Sequence, residues 1–421
     1  MSETISKNAS CMDDFDPDSI TPEQALKNIF QAITPVTTTE DISVRDALGK
    51  VLAKDIISQI NVPSGRNSAM DGYAIKGSDL PDKGIKQLKL IGTCLAGKPF
   101  LDKIDAGECV RIMTGAIMPK GSDTVVVQEQ AVVSGEMVGI SNDTKPGANV
   151  REAGEDLAIG DLVLEKGMRL TPADIGLLAS LGFSKVPVFQ NIKVAFFSTG
   201  DELRSIGEKL EDGAIYDSNR YTLYGMLSRL GVEIMDMGVV RDDKVLLNRA
   251  FQEAAEEADV LITSGGVSVG DADYIKETLE KHGNVNFWKV AMKPGRPLTF
   301  GKIDKTWFFG LPGNPVSVMI GFYQFVQPGL KKLMGEKYTA PIMLKVPCIS
   351  KLKKRPGRVE YQRGVLEKDD TGRMVVRKTG KQGSGILRSM ADANCFIILP
   401  LESVGVKPDE LVDVELFYGI V

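Results

Sequence analysis

The chain has 421 residues, more than one ordinary hydrophobic core accommodates, and a length that predicts roughly three domains. Its composition, 43% hydrophobic and 25% charged, is that of a soluble globular protein. The formal net charge is −5, from 51 basic and 56 acidic residues; this gives no support for a general nucleic-acid footprint, and any bound anion must be held by local groups against a mildly repulsive field.

The N-terminus, MSETISKNASCMDDFDPDS, is acidic and lacks an apolar core, so it is not read as a signal peptide. No run of some 18 apolar residues follows anywhere, which argues against a membrane span and for a cytoplasmic protein. The first helix is announced by Thr21 as N-cap, Pro22 at the first helical position and Gln24 closing a capping box, with Ala25, Ile29 and Ile33 at helical spacing. A second helix opens the same way at Thr171-Pro172 and carries Ile175, Leu178 and Leu181. Between them, the runs LKLIGT, CVRIMTG and TVVVQEQ alternate with Gly, Pro, Asp and Asn clusters, the texture of an inserted, mostly β domain.

From Ile192 the pattern becomes a regular strand–helix alternation, which predicts a doubly wound α/β domain. Strand 194–197 runs into Ser198-Thr199-Gly200-Asp201-Glu202; a helix near Tyr221–Leu230, a strand 232–237 and a helix to Ala258 follow. Strand 260–262 enters Thr263-Ser264-Gly265-Gly266-Val267-Ser268-Val269-Gly270-Asp271, and strand 307–309 enters Gly310-Leu311-Pro312-Gly313-Asn314-Pro315 before a long helix to about Met334. The remainder reads β again, its last run alternating Val412, Val414 and Leu416 against Asp413 and Glu415 as a half-buried strand does. Five scattered cysteines without CxxC spacing, and His282 as the single histidine, argue against a disulfide framework, a zinc site and serine–histidine chemistry.

Three strands of the central domain end in small-residue loops at helix starts. Open parallel sheets bind ligands beyond the carboxyl ends of strands, where the winding reverses. Glycine lets backbone N–H groups approach a phosphate, and the helix N-terminus favours its charge. Any one such loop reads equally well as a tight connection; TSGGVSVGD and GLPGNP in one sheet favour a ligand cradle. Glu202, Asp242 and Asp273 fall just past strand ends. Carboxylates beside a phosphate site point to Mg²⁺, although each also suits helix capping, Asp242 in Arg241-Asp242-Asp243 above all. Lys289, Lys293 and Arg296 in WKVAMKPGRP are stiffened by Pro294 and Pro297 and suit an oxyanion, where a lone KPGRP would be a surface turn. Asp71-Gly72 reads as a hairpin turn, and Lys351-Leu352-Lys353-Lys354-Arg355 as a solvated edge strand protected by lysines.

Together PSGRNSAMDGYAI, RIMTGA, REAGEDL, FSTGDEL, YDSNR, TSGGVSVGDADY, MKPGRP, GLPGNPVS and YQRGVL, in this order from about residue 20 to the C-terminus, resemble the bacterial molybdopterin molybdenumtransferase (MoeA) family, related to gephyrin and its plant counterpart. The resemblance implies a three-layer, doubly wound α/β molybdopterin-binding domain at 192–338, combined with a discontinuous helical/β domain at 19–60 and 150–191. It further implies an inserted mostly β domain at 61–149 and a C-terminal β-barrel at 339–421, leaving 1–18 as a disordered extension. It also implies the reaction: adenylylated molybdopterin and molybdate give molybdenum cofactor and AMP, with Mg²⁺ as cofactor.

By motif the functional positions are Asp71, Thr114, Asp156, Glu202, Asp242 and Asp273, the last three as metal ligands. Substrate-binding positions are Ser264, Gly265, Gly266, Ser268, Lys289, Lys293, Arg296, Pro312, Pro315, Arg363 and Ser384. Mg²⁺ near Glu202 and Asp273 would polarise the pyrophosphate, and Lys293, Arg296 or Arg363 would hold molybdate. The resemblance also implies a homodimer in which Asp71 and Thr114 reach the pocket of the other subunit. Expected partners are a separate molybdopterin adenylyltransferase and molybdoenzyme-maturation proteins. A pterin adenylyltransferase or nucleotide pyrophosphatase built on the same module, and a gephyrin-like scaffold, are the rival readings.

Overall fold

The computed structural model describes residues 16–266 and 283–417. The chain forms two compact units, one made of the described residues up to Asp41, Gly49–Ala53 and Pro187 onward, the other of Ile42–Leu48 and Lys54–Val186.

In the first unit the helix Pro22–Ala32 starts at the expected Thr21, whose hydroxyl accepts from the Gln24 N–H at 3.2 Å. Only this half of the expected capping box is present, because the Gln24 amide donates forward to Asn28 Oδ1 at 2.7 Å. Ala25 and Ile29 are buried. In the second unit, Pro172–Ser180 has both halves: the Asp174 carboxylate turns back to accept the Thr171 N–H at 2.8 Å. A carboxylate can only accept, so it answers the orphan donors of a helix start, whereas an amide is also drawn to an acceptor one turn on.

The α/β domain is built on a six-stranded sheet in the order Glu233–Val240, Lys193–Thr199, Val260–Ser264, Thr306–Leu311, Pro297–Ile303, Gly283–Lys289. Parallel pairing joins the first four strands. The last two are antiparallel, a hairpin at one edge that the alternation in the sequence does not announce. Side chains alternate across the sheet. Val194, Phe196 and Ile262 pack with Leu223, Met226 and Leu227 of the helix Ser218–Leu230. Ala195, Phe197 and Leu261 face Leu247, Phe251 and Ala254 of the helix Lys244–Glu257. Fully burying a large apolar side chain contributes about 1.5–3 kcal/mol, so these two faces fix the three-layer arrangement.

The long helix after Pro312-Gly313-Asn314 contains a wide turn. Pro315–Gly321 is α, Phe322–Val326 is π, and Gln327–Leu333 is α again. Pro328 has no N–H to give the Gln324 carbonyl, and the Gln327 N–H reaches back to Phe322 O.

The C-terminal strands pair in the order Met292–Lys293, Val359–Lys368, Cys395–Leu399, Leu411–Leu416, Met343–Pro347, with Met374–Lys378 added beside Val359–Lys368. A bridge between Cys348 and Val376, with the Ile349 N–H donating to Val376 O at 2.9 Å, joins the two ends, so the sheet curls into a small barrel around Val376, Ile397, Val412 and Val414. Glu415 departs from the expected alternation. It is 4% exposed, accepts from Gln324 Nε2 at 3.1 Å, and burial pushes its carboxyl above the usual carboxylate range.

The second unit carries a six-stranded sheet in the order Thr124–Val127, Gly72–Ile75, Glu108–Ile112, Lys86–Cys94, Met137–Ile140, Ala131–Ser134. It is apolar on both faces, with Ala74, Val110 and Val125 on one and Tyr73, Leu88 and Val126 on the other. The runs that read as β in the sequence are strands of this sheet.

Candidate active site

In the α/β sheet the chain winds from Lys193–Thr199 to a neighbour on one side and then to Val260–Ser264 on the other. The reversal therefore lies between these two strands, the place where open α/β sheets bind ligands. A cleft of about 1730 Å³ opens there. Thr199, Gly200, Ser264, Gly265 and Gly266 form its floor, and Pro312, Gly313, Asn314 and Pro315 its next wall. Gly265 has a φ of +94°, and a Cβ there would sit 2.4 Å from the Thr199 carbonyl oxygen. The two strand ends approach so closely because this residue has no side chain. Asn219 ties the loops together, its amide donating to Ser264 Oγ at 2.8 Å and to Gly313 O at 2.7 Å. It belongs to the YDSNR motif, to which the sequence alone assigns no role. Asp217 of the same motif caps the helix Ser218–Leu230 through the Arg220 N–H at 3.1 Å.

Glu202 and Asp242 both line the cleft. Capping of the helix Lys244–Glu257 falls to Asp243, which accepts from the N–H groups of Val245 and Leu246. Asp242 is thereby released from the capping role open to it in the sequence, and its carboxylate accepts from the Thr199 hydroxyl at the strand end. Ser268 and Asp273 lie outside the described residues, and among the described residues no group of three or more His, Cys, Asp or Glu side chains forms a metal cluster. Glu202 and Asp242 supply hard oxygen donors, and Mg²⁺ is commonly held by one or two carboxylates together with water and ligand phosphates.

The KPGRP segment divides its cations. Lys293, Pro294 and Gly295 line the cleft. Lys293 Nζ stands 2.9 Å from Glu360 Oε1, whose other oxygen accepts from Gln362 Nε2 at 2.9 Å. Arg296 and Lys289 do not line it: Arg296 is buried and both pair with Asp16, Lys289 at 3.3 Å. Asp16 itself is 8% exposed, although it falls within the extension expected to be disordered.

On the barrel side, Lys351, Lys353, Arg355 and Arg358 line the cleft, together with Gln382 and Ser384. The run that reads as an ordinary lysine-protected edge, in which Leu352–Lys353 pairs with Gly405–Val406, is thus a wall of the site. Lys354 is also in the lining but is buried, and its amine donates to the carbonyls of Arg355, Leu401 and Ser403 at 3.1–3.2 Å. Arg363 is 1% exposed and does not line the cleft. Its guanidinium donates to Ser389 Oγ, Tyr361 O and Gly383 O, and burial lowers it to about 10, which leaves it charged at neutral pH. The residue stands behind the Gln382–Ser384 wall, and its own N–H donates to Gln382 Oε1 at 2.8 Å. Val316 at the start of the long helix donates to the Ser384 carbonyl at 3.0 Å, fixing that wall to the α/β domain.

In the other unit Asp71 and Thr114 meet directly. Asp71 Oδ1 accepts from both the N–H and the hydroxyl of Thr114, each at 2.7 Å. The backbone donor, followed by the hydroxyl, holds the Asp71 carboxyl below its usual range. Asp71 precedes the strand Gly72–Ile75 in a bend. Asp156 is exposed, its N–H donating to Val62 O at 3.0 Å.

Three family models match the chain in sequence. The MoeA N-terminal region (domains I and II) covers residues 20–182, the probable molybdopterin binding domain 195–332, and the MoeA C-terminal region (domain IV) 345–417. A molybdopterin molybdenumtransferase of Haemophilus influenzae is 44% identical over 400 residues, which are 94% of this chain and 98% of that protein. A gephyrin of Dictyostelium discoideum is 36% identical over 91% of this chain and 60% of its own length. The crystal structure of the molybdopterin biosynthesis moeA protein from Pyrococcus horikoshii superposes with a TM-score of 0.83 at 30% identity, covering 95% of this chain and all of that one.

Proposed function

The chain belongs to the MoeA family of molybdopterin molybdenumtransferases and acts as an enzyme of molybdenum cofactor biosynthesis; from that premise we propose that its cleft binds adenylylated molybdopterin and molybdate, and that the reaction releases AMP. The observation that carries this reading is the position of the cleft, at the reversal of the α/β sheet with carboxylates on one side and cations on the other.

In the proposed reaction an oxygen nucleophile, water or a molybdate oxygen, cleaves the phosphoanhydride and leaves AMP and the pterin phosphate; the two dithiolene sulfurs displace an oxo ligand of molybdate, which departs as water with the two thiol protons, and molybdenum stays at Mo(VI). The strand-end glycines allow the backbone to approach the pyrophosphate, and Asn219 keeps their two loops in register. Glu202 and Asp242, with Asp273, would hold Mg²⁺, which supplies charge neutralisation at the breaking anhydride. Lys293 and the barrel cations Lys353 and Arg358 bind and orient the anionic groups, molybdate among them. Arg363 serves from behind, by bracing the wall that presents Ser384. Asp71, Thr114 and Asp156 are proposed to act in the reaction, on the motifs that carry the resemblance, and the active species is proposed to be a cytoplasmic homodimer supplied with its adenylylated substrate by a separate enzyme.

The full chain, incubated with adenylylated molybdopterin, tests the reading by AMP release. Release that requires both molybdate and Mg²⁺ is expected. Release indifferent to molybdate, or adenylylation of molybdopterin from ATP, would show instead one of the rival activities of the shared module.

A further inference from the structure

The loop that brings Lys293 to the cleft is held at both ends by a segment that precedes the first helix. The Ile20 N–H donates to Lys289 O at 2.9 Å, and the Ala291 N–H donates to Ile20 O at 2.8 Å, so Ile20 and Val290 pair as parallel strands do. Beyond Val290 the chain doubles back at Gly295, whose φ is +92°, and the Val290 N–H closes the turn on Arg296 O at 2.7 Å. The Asp16 side chain lies 3% exposed beside this closure. Its carboxylate accepts from Arg296 at one end of the turn and stands 3.3 Å from Lys289 Nζ at the other. The Asp18 N–H donates to the same carboxylate at 3.0 Å and, with the two cations, holds the carboxyl below its usual range.

A buried carboxylate is retained only where its partners answer the cost of removing it from water. Here those partners are the two ends of one turn. The opposite side of the turn is fixed separately, since Met292–Lys293 pairs with Val359–Glu360 and Lys293 Nζ meets Glu360. The turn is therefore clamped from the N-terminal segment on one side and from the barrel on the other, with Lys293 between them. We propose that Asp16 is a positioning residue for the reaction: it draws Lys289 and Arg296 together and so fixes the turn that presents Lys293 to the anionic ligand. The inference rests on the reading of Lys293 as an anion-binding group of the cleft. It also gives the residues before the first helix a part in the site, and it explains why Arg296, in a motif that reads as oxyanion-binding, points away from the cleft.

The full chain and its D16N, D16A and D16E forms provide the test, D16N keeping the side-chain shape should D16A fold poorly. Competitive acetylation of lysines, read by mass spectrometry, reports the freedom of Lys293 without reference to activity. Loss of the clamp is expected to raise its labelling by about threefold or more in D16N, with Lys89 and Lys345 unchanged, because a turn that opens locally frees the amine from its ion pair with Glu360. The KM for molybdate in AMP release is expected to rise about tenfold with little change in kcat, since an ångström of misplacement already costs that much or more. D16E, which keeps the charge, should recover part of both effects. Unchanged Lys293 labelling in folded D16N, or a lower KM for molybdate as a negative charge is removed, would overturn the clamp. K293A checks the premise on its own: an unchanged molybdate KM there would end the anion-binding role of Lys293, and the labelling would still decide the role of Asp16.

Discussion

The two walls of the cleft are made of opposite materials. The α/β wall offers backbone, small residues and the carboxylates Glu202 and Asp242; the barrel wall offers Lys351, Lys353, Arg355 and Arg358, and its carboxylate Glu360 is paired with Lys293. Two like charges 4 Å apart repel by about 4 kcal/mol at an effective dielectric near 20. A pyrophosphate is thus attracted by one wall and tolerated by the other only with a cation between. This division separates holding from reacting. Uniform binding of an anion does not by itself lower the barrier, so in the proposed reaction the cations would serve affinity and orientation, and the carboxylates would act where charge develops.

The largest effects are expected on the acidic wall. E202A and D242A should each lower AMP release by about 10²–10³-fold, the scale seen when one electrostatic contact to a transition state is removed. If Asp71 serves the pocket of the other subunit of the proposed homodimer, mixing E202A with D71A protein should restore release through heterodimers; no recovery at any mixing ratio would break that shared-site arrangement. On the barrel side, R363A leaves the Gly383 and Tyr361 carbonyls without their buried donor. A loss of about 3 kcal/mol in denaturant unfolding is expected, with disorder of the Gln382–Ser384 wall. G265A forces a Cβ against Thr199 O at a positive φ; about 1–3 kcal/mol of stability should go, together with ligand binding.

The smallest effect is a pH signature of the barrel. The folded-state carboxyl of Glu415 is raised above its ordinary value of 4.5 by burial. The folded protein therefore binds this proton more tightly than the unfolded chain does. Its contribution to stability is present below 4.5 and is lost as pH rises through the raised folded value. E415Q should melt higher than the parent at neutral pH and show no advantage in acid. Equal melting of the two at pH 7 would contradict this.

How much of this is legible in the sequence differs between the walls for a physical reason. Glycine, proline and acid residues at strand ends have few other uses in combination, so Gly265, Pro312, Pro315 and Glu202 stand out by residue type and spacing alone. The choice between Asp242 and Asp243 does not, because both suit a helix start and only the fold shows which side chain turns to the backbone. The basic wall is hidden, since lysines on a short strand serve equally well to protect an edge. Arg296 reads as a ligand-binding cation, and its burial against Asp16 is not legible because that partner is 280 residues away in the chain. Glu415 falls on the exposed face of its strand by period-two alternation, yet the long helix covers that face too through Gln324. Interactions fixed by local spacing are readable; those fixed by packing between distant segments are not.

The division between the walls is tested most directly by measuring, side by side in E202A and K353A, the affinity for adenylylated molybdopterin by equilibrium titration and the single-turnover rate of AMP release. E202A is expected to bind the pterin adenylate nearly as the parent does and to release almost no AMP. K353A is expected to bind several-fold more weakly, with a salt dependence reduced as one cation is lost, and to turn over at close to the parent rate once saturated. Weakened binding with an intact rate in E202A, or a lost rate with intact binding in K353A, would contradict the account.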